Sequence, residues 1–311
     1  MRAVVVREFG GPEALEVAEV PVPEPGAGQI RIRVEAAAVN PVDALVRSGG
    51  TVRNGMALPR ERYGIGWDAA GTVDALGAGV TGFAVGDRVI GMIDRLDLPL
   101  GAYAEYALLE AAETAPAPAG ASAAEAATLP LGALTADQAL ADLALERGRT
   151  VLVSGAAGSV GGFGVALAAE RGLRVVAVAG ERDEKLVRAL GAEHFVPRGA
   201  GVAHAVRRLV PGGVDGVLDT APLGVAALEA LRFGGAFVST VPGAAPVPRR
   251  RTRVSTVWVG ADGERLAELS ALAGAGRLPL RVAETLPLDR AAEAHRRLAE
   301  GGLRGRLVLL P

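Results

Sequence analysis

The chain has no cysteine in its 311 residues, which excludes disulfides, thiol nucleophiles and thiolate metal sites. Histidine is nearly as scarce. His194, His204 and His295 are the only three, and their spacing matches no metal-ligand pattern, so surface or packing roles are expected and no metal. Charge of one sign is lacking too: the formal net charge is −2, which gives neither nucleic acid nor an anionic membrane a reason to bind. No apolar run is long enough to cross a bilayer, and the opening MRAVVVREF reads as a strand rather than a signal peptide. The expected partners therefore include no nucleic acid and no membrane, and the expected location is cytoplasmic.

What is present fits a soluble globular protein: half the residues are hydrophobic and 22% are charged. The length allows two domains or one large one. The chain is organised around 150–172, TVLVSGAAGSVGGFGVALAAERG. Its β-branched start reads as a buried strand, and its Ala-rich end as a helix over 160–170 closed by Gly172. Between them lie Gly155, Gly158 and Gly161. Strand, glycine turn and helix in that order aim backbone N–H groups and a helix N-terminus at a phosphate. The spacing is a variant of the dinucleotide fingerprint, with Ala156 in place of the usual first glycine.

Before this stretch the chain reads as short strands and turns, with β-like runs at 3–7, 16–20 and 29–38. Asn40 and Pro41 read as the cap and first position of a short helix over 40–48. The polar 49–62 segment reads as a mobile loop. Many short strands at turn-rich spacing suggest a partly open barrel. Ser122 and Glu125 have capping-box spacing, and Pro130 splits the Ala-rich run that follows into two helical pieces. From residue 150 onward strands and helices alternate. Strands are expected at 150–154, 174–179, 194–196, 214–219, 236–241 and 254–259, with helices at 160–170, 183–190, 202–209 and 224–232. Such alternation with short loops means a doubly wound parallel sheet, the Rossmann arrangement. After Gly260 come a helix (264–273), a short strand (281–283), a helix (290–300) and a closing strand (306–310).

The second strand of the alternating region ends at Ala179 and Gly180, where an NAD enzyme usually carries Asp or Glu for the ribose 2′-hydroxyl. Small residues there leave room for a 2′-phosphate, which Arg182 can grip through its planar fork and Lys185 can attract as a point charge. The residues thus favour NADPH over NADH. The plain alternative is that Arg182 and Lys185 are solvated residues at a charged helix start.

Several stretches, taken together, resemble the zinc-free quinone oxidoreductase branch of the medium-chain dehydrogenase/reductase superfamily, the group that includes zeta-crystallin. They are NPVD (40–43), GWDAAG (66–71), GDRVIG (86–91), GAYAEYAL (101–108), LPLGALTADQAL (129–140), SGAAGSVGG (154–162), GVDGVLDTA (213–221) and AEAHRRLAEGGLRGRLVLLP (292–311). They run in family order along nearly the whole chain. The resemblance implies an α/β fold, with a GroES-like catalytic domain from 1–118 and 276–311 and a Rossmann NADP-binding domain at 119–275. Zinc-dependent relatives carry Gly-His-Glu where this chain has Gly66, Trp67 and Asp68, so the resemblance also implies loss of the catalytic zinc.

As implied by the resemblance, Asn40 and Thr135 lie beside the nicotinamide and its ribose. Gly155, Ala157, Gly158, Ser159 and Val160 form the pyrophosphate turn, and Gly180, Arg182 and Lys185 surround the 2′-phosphate. Thr220, Val241 and a strand holding Val257, Trp258 and Val259 approach the nicotinamide half, and Arg306 stands where many relatives have a lysine. Asn40 can equally well cap its helix. Trp67 is expected in the core, and Asp68 as a structural acceptor. One departure is that many quinone-reducing relatives place a tyrosine after the Asn-Pro motif, where this chain has Arg47–Val52 without one.

The implied chemistry is hydride transfer from NADPH to an enone or quinone, with Asn40, a backbone N–H or water stabilising the oxygen charge. Asp43 and Tyr63, besides Asp68, are candidates for proton transfer, alongside water. The alternatives are a metal-free NADP-dependent carbonyl reductase and an NADPH-binding protein without significant turnover. The 254–259 strand is expected at the sheet edge, where relatives often pair, so a homodimer is expected. The cofactor reading makes a kinetic demand: Arg182→Ala should raise the KM for NADPH about tenfold or more while leaving that for NADH nearly unchanged. An equal effect on both would contradict it.

Overall fold

The computed structural model describes residues 1–96, 98–199 and 201–311. The first part of the chain contains β1 (Arg2–Val6), β2 (Glu16–Glu19), β3 (Gln29–Ala38), α1 (Pro41–Arg47), α2 (Gly50–Arg53), β4 (Tyr63–Gly64), β5 (Asp68–Leu76), β6 (Arg88–Met92), β7 (Tyr106–Glu110), β8 (Thr114–Pro116) and α3 (Ala123–Ala126). The middle contains α4 (Pro130–Leu143), β9 (Thr150–Ser154), α5 (Ser159–Glu170), β10 (Arg174–Ala179), α6 (Glu184–Ala189), β11 (His194–Pro197), α7 (Val202–Leu209), β12 (Val214–Asp219), α8 (Val225–Leu228), β13 (Leu231–Ser239) and β14 (Arg253–Thr256). The tail contributes α9 (Gly263–Gly274), β15 (Val282–Pro287), α10 (Ala291–Glu300) and β16 (Arg306–Leu310). No helix among the described residues is long and apolar enough to cross a membrane.

Two compact units result. One comprises Met1–Leu131, Gly260–Gly276 and Leu280–Pro311; the other comprises Gly132–Val259 and Arg277–Pro279. These bounds differ from the expected 119–275 segment at both ends. The tail helix α9 belongs to the first unit because it packs onto β8: Ser270 Oγ donates to the Pro116 carbonyl at 2.7 Å. A Cβ on Gly263 would lie 2.3 Å from the Ala112 carbonyl oxygen, so only glycine admits this approach.

In the first unit a seven-stranded sheet runs β15-β16-β3-β5-β6-β8, with β7 also on β3, and a smaller sheet runs β2-β1-β4. The ten-residue β3 has three partners: β7 along its first half, β16 at its end and β5 along most of its length. Register irregularities between β3 and β5 add the twist that curls an antiparallel sheet into a partly open barrel. Alternate residues Ile30, Ile32 and Val34 face a core shared with Val73, Val89, Leu109 and Leu309. The 49–62 segment, expected as a mobile loop, begins instead with α2, where Thr51 is fully buried. Gly49 starts it in the left-handed region at φ 75°.

The second unit is a six-stranded parallel sheet in the order β11-β10-β9-β12-β13-β14. All five residues of β9 are buried, as a strand in the middle of a parallel sheet requires. Expected and observed bounds agree for β9, β10, β12 and α7. The expected 224–232 helix is only the single turn α8, because Leu231 is drawn into parallel pairing opposite Val214 and buried there. At the far end β13 stops at Ser239 rather than 241, since Ser239 Oγ accepts the Val241 N–H and turns the chain. Beyond Thr256 the Val257 N–H still donates to the Ser239 carbonyl at 2.9 Å, but β14 has ended, and the expected strand does not run on through Val257, Trp258 and Val259.

Candidate functional site

Both units carry residues singled out from the sequence, Asn40, Asp43, Tyr63, Asp68 and Arg306 in the first and the rest in the second. In the parallel sheet, successive connections from β9 run first outward to β10 and later across to β12, so the carboxyl end of β9 is the point where strand order reverses. Crevices at such points are where doubly wound sheets bind ligands. The turn there starts at Gly155, φ 58°, where a Cβ would meet Thr220 Oγ1 at 2.8 Å and Ala221 Cβ at 2.9 Å. A Cβ on Gly161 would lie 2.2 Å from the Gly155 carbonyl oxygen. Glycine at both positions lets the start of α5 rest on the turn itself. Gly158 caps α5 and offers no side chain to its opening N–H groups, which leaves Ser159, Val160 and the helix start open toward an anion.

The neighbouring strand end is locked to this turn. Thr220 Oγ1 donates to the Ser154 carbonyl at 2.7 Å, and Ser154 Oγ donates to the buried Asp219. Asp219 also accepts the Leu223 and Gly224 N–H groups. Thr220, Val241 and Val257 all follow the carboxyl ends of strands, and Trp258 is 62% exposed. Thr135 is buried on α4 of the same unit.

At the tip of β10 the structure adds two residues that the sequence reading passed over. Parallel register sets Ala179 opposite Pro197, and the Arg198 N–H bonds to the Ala179 carbonyl at 2.7 Å. A Cβ on Gly180 would lie 4.0 Å from Arg198 Nη2 and 3.1 Å from Asp183 Oδ2. Arg182 and Lys185 are exposed beside them. The signal for Arg198 exists only once the β10–β11 register is known.

The barrel unit holds a buried polar cluster of its own. Ala38 pairs with Asp68 on one side and Val308 on the other, and Val39 N–H bonds to the Leu307 carbonyl. That register carries Asn40 to a position across from Arg306. Asn40 is fully buried, and its Nδ2 donates to Asp68 Oδ2 at 2.9 Å and to the Ala38 carbonyl at 3.2 Å. Its side chain therefore does not cap α1. Asp43 closes the cap instead, accepting the Asn40 N–H on Oδ2 at 2.8 Å, while Asn40 Oδ1 has no partner. Asp68 acts as a structural acceptor for the Leu131 N–H at 2.7 Å. Arg306 is buried with Nε and Nη2 unpaired.

Tyr103, which the sequence reading did not single out, donates its phenol to Asp43 Oδ2 at 3.0 Å. His295 Nε2 lies 3.4 Å from the same phenol, and its Nδ1 lies 3.0 Å from Arg47 Nη1. An arginine can only donate, so Nδ1 is the acceptor and the imidazole proton sits on Nε2. Burial pushes Asp43 up to about 7 and Asp68 up to about 6, against the pull of donors and of Arg306. Burial likewise pushes His295 down to about 4, and the Arg47 charge adds to this. The cluster thus sets two carboxyl groups against one buried guanidinium and retains a proton near neutral pH.

Tyr63 lines a small pocket in the same unit, with Thr51, Trp67 and Ile93. Its phenol is engaged: it accepts the Arg60 N–H at 2.8 Å and reaches the Leu58 carbonyl, while its ring meets Phe9 at 4.7 Å between centroids. The residue pins a loop.

Two family models match the chain: the Alcohol dehydrogenase GroES-like domain over residues 26–119 and the Zinc-binding dehydrogenase over residues 190–309. With the barrel and the glycine turn on the parallel sheet, these define an oxidoreductase of the dehydrogenase class. The chain is 34% identical to a quinone oxidoreductase of Mus musculus, over all of this chain and 98% of that one. A solved NAD-dependent alcohol dehydrogenase superposes with a TM-score of 0.88 at 35% identity, and a mycobacterial protein complexed with NADPH with 0.84 at 32%, each covering 100% of both chains. The chain belongs to the medium-chain dehydrogenase/reductase superfamily.

A zinc ion does not fit the donors of this member. Among the described residues no group of three or more His, Asp or Glu is arranged so that it could hold a metal ion. Trp67 offers no lone pair comparable to an imidazole, and both Asp68 oxygens are already hydrogen-bonded.

The folded chain holds the Asp43 proton up to about pH 7, whereas an unfolded aspartate releases it near 3.8. The buried carboxylate therefore destabilises the fold increasingly as pH rises through that window. Asp43→Asn, which keeps an acceptor toward the Asn40 N–H and Tyr103, should gain about 2 kcal/mol on the wild type between about pH 5 and pH 8 in denaturant unfolding. The opposite trend from His295 is common to both proteins and cancels. A difference independent of pH would contradict the buried-acid assignment.

Proposed function

We propose that this chain is a zinc-independent NADPH-dependent reductase that delivers hydride to an enone or quinone. The observation that carries the reading is the uncapped start of α5, set on a glycine turn at the reversal point of the parallel sheet. The 155–160 turn would hold the pyrophosphate there, with the Ser159 and Val160 N–H groups of the helix start as donors. Gly180 leaves space for the 2′-phosphate, with Arg182, Lys185 and Arg198 as its cations. Against this stand Asp183, whose carboxylate beside Gly180 suits a ribose hydroxyl better, and Glu181 on the same turn; the small residues Ala179 and Gly180 at the strand tip, with Arg182, Lys185 and Arg198 nearby, support the phosphate.

Bound NADPH supplies the hydride. The protein must supply orientation, charge stabilisation and a proton. Thr135, Thr220, Val241, Val257, Trp258 and Val259 would line the nicotinamide half. In the barrel unit, Asn40 and Arg306 hold the polar atoms that lack partners, and the cation of Arg306 favours developing negative charge. Asp43, whose buried carboxyl is pushed up to about 7, is a candidate proton donor, alongside Tyr63 and water. Asp68 keeps Asn40 in place.

We also propose a two-fold dimer. The outer edge of β14 is unpaired among the described strands, and Phe233, Val247 and Trp258 are exposed by 60% or more. An edge of this kind recruits a second strand. Light scattering after size exclusion should give twice 31.5 kDa, and a mass of 31.5 kDa would refute the dimer.

Stopped-flow mixing of enzyme and NADPH with 2-cyclohexen-1-one or a benzoquinone should accelerate nicotinamide oxidation well above buffer. If neither accelerates it, the reductase reading fails. Hydride delivered to the carbonyl carbon of the enone, traced with deuterated cofactor, would make the chain a carbonyl reductase instead.

A further inference from the structure

A line of hydrogen bonds runs through the barrel unit from half-buried Arg47 to fully buried Asp43. Arg47 Nη1 lies 3.0 Å from His295 Nδ1, His295 Nε2 lies 3.4 Å from the Tyr103 phenol, and that phenol lies 3.0 Å from Asp43 Oδ2. Tyr103 is held at its backbone, where its N–H donates to the Ile65 carbonyl at 2.9 Å and its carbonyl accepts the Val4 N–H at 2.8 Å. Gly66, at φ 103°, makes room for the ring, which a Cβ there would overlap.

The direction of every bond in this line is fixed at the Arg47 end. Arginine cannot accept, so the hydrogen of His295 is on Nε2 and faces the Tyr103 oxygen. That oxygen must accept, and the phenol's own hydrogen goes to Asp43 Oδ2. The same Oδ2 accepts the Asn40 N–H at 2.8 Å. With two donors on Oδ2, the proton of the neutral acid belongs on Oδ1, which is buried and has no partner in the fold. The other charges that act on Asp43 are Asp68 on β5 and Arg306 on β16, in opposite directions, while Arg47 itself feels Glu13. Once the Oδ1 proton is gone, the Asn40 and Tyr103 donors and the Arg306 charge stabilise the carboxylate left behind.

We propose that Tyr103 and His295 are positioning residues: with Arg47 they set the hydrogen bonds on Asp43 so that its acid proton rests on Oδ1, from where it passes to the reduced substrate. The delivery rests on the reductase reading, whereas the placement of the proton does not. In the delivery the Oδ1–H bond breaks, the proton joins the enolate formed when hydride adds to an enone, and the Asp43 carboxylate takes a new proton from water before the next turnover.

NMR of protein carrying isotope-labelled aspartate carboxyls reads Asp43 without any turnover, and Asp43→Asn identifies its resonance. Tyr103→Phe should raise the Asp43 pKa from about 7 by about one unit, because the carboxylate loses a donor. Were Asp43 instead the donor to Tyr103, the neutral acid would lose its acceptor and the pKa would fall. A fall, or no change, would overturn the proposal. His295→Leu should raise the value by less, through a weakened Tyr103 bond, and should add nothing in the Tyr103→Phe background. His295→Gln, whose amide can accept from Arg47 and donate to Tyr103, should restore it. An equal His295→Leu shift with and without the phenol would overturn the role of His295. In turnover, the alkaline limb of kcat for 2-cyclohexen-1-one should move upward with Asp43 in Tyr103→Phe. A limb that stays while the carboxyl titration moves would overturn the delivery alone. If the wild type reduces neither enone nor quinone, the reductase reading and the delivery fail together, and the carboxyl titrations still decide where the proton rests.

Discussion

The parallel-sheet unit depends on one steric constraint: there is no room for a side chain where α5 meets the turn after β9. A methyl group on Gly161 would overlap the Gly155 carbonyl, and one on Gly155 would overlap Thr220 and Ala221. With both absent, the helix begins directly above the strand end, and the hydroxyls of Ser154 and Thr220 tie the neighbouring strand to the same point. The open helix start is a product of close packing before it is a ligand site. The two requirements coincide because backbone that packs tightly is also backbone that can approach a phosphate.

The barrel unit meets the opposite problem, an excess of polar groups in its interior. Asn40, Asp43, Asp68, Tyr103, His295 and Arg306 are all buried there. A carboxylate in such surroundings is expensive unless a cation or several donors face it, so the cluster retains a proton instead. One guanidinium for two acids makes this arrangement close to neutral. Two atoms of that guanidinium and one oxygen each of Asn40 and Asp43 remain unpartnered. A fold selected for stability alone would rarely keep so many.

The parts of this architecture legible in the sequence were those set by local pattern. The β-branched run of β9, the alternating Ile and Val of β3 and the amphipathic α7 each announce their own ends. What was lost was set by distant partners. Residues 224–232 look helical in isolation, but Leu231 is pulled into the sheet by Val214. Asp43, Tyr103 and His295 are separated by 60 and 192 positions and meet only through barrel closure. Thr51 lay in a polar stretch that resembled any loop, and Arg198 became relevant only through the pairing of β10 with β11. Asn40 was singled out from the sequence, and its side chain turns inward to Asp68 because Asp43 takes over the capping role.

The tip of β10 places an acid and an arginine around the same glycine, Asp183 on one side and Arg198 on the other. Any anion arriving at Gly180 would meet opposed charges at once. Both groups stand apart from the β9 turn and the barrel cluster, so the charge around Gly180 can change while the turn and the cluster stay as they are.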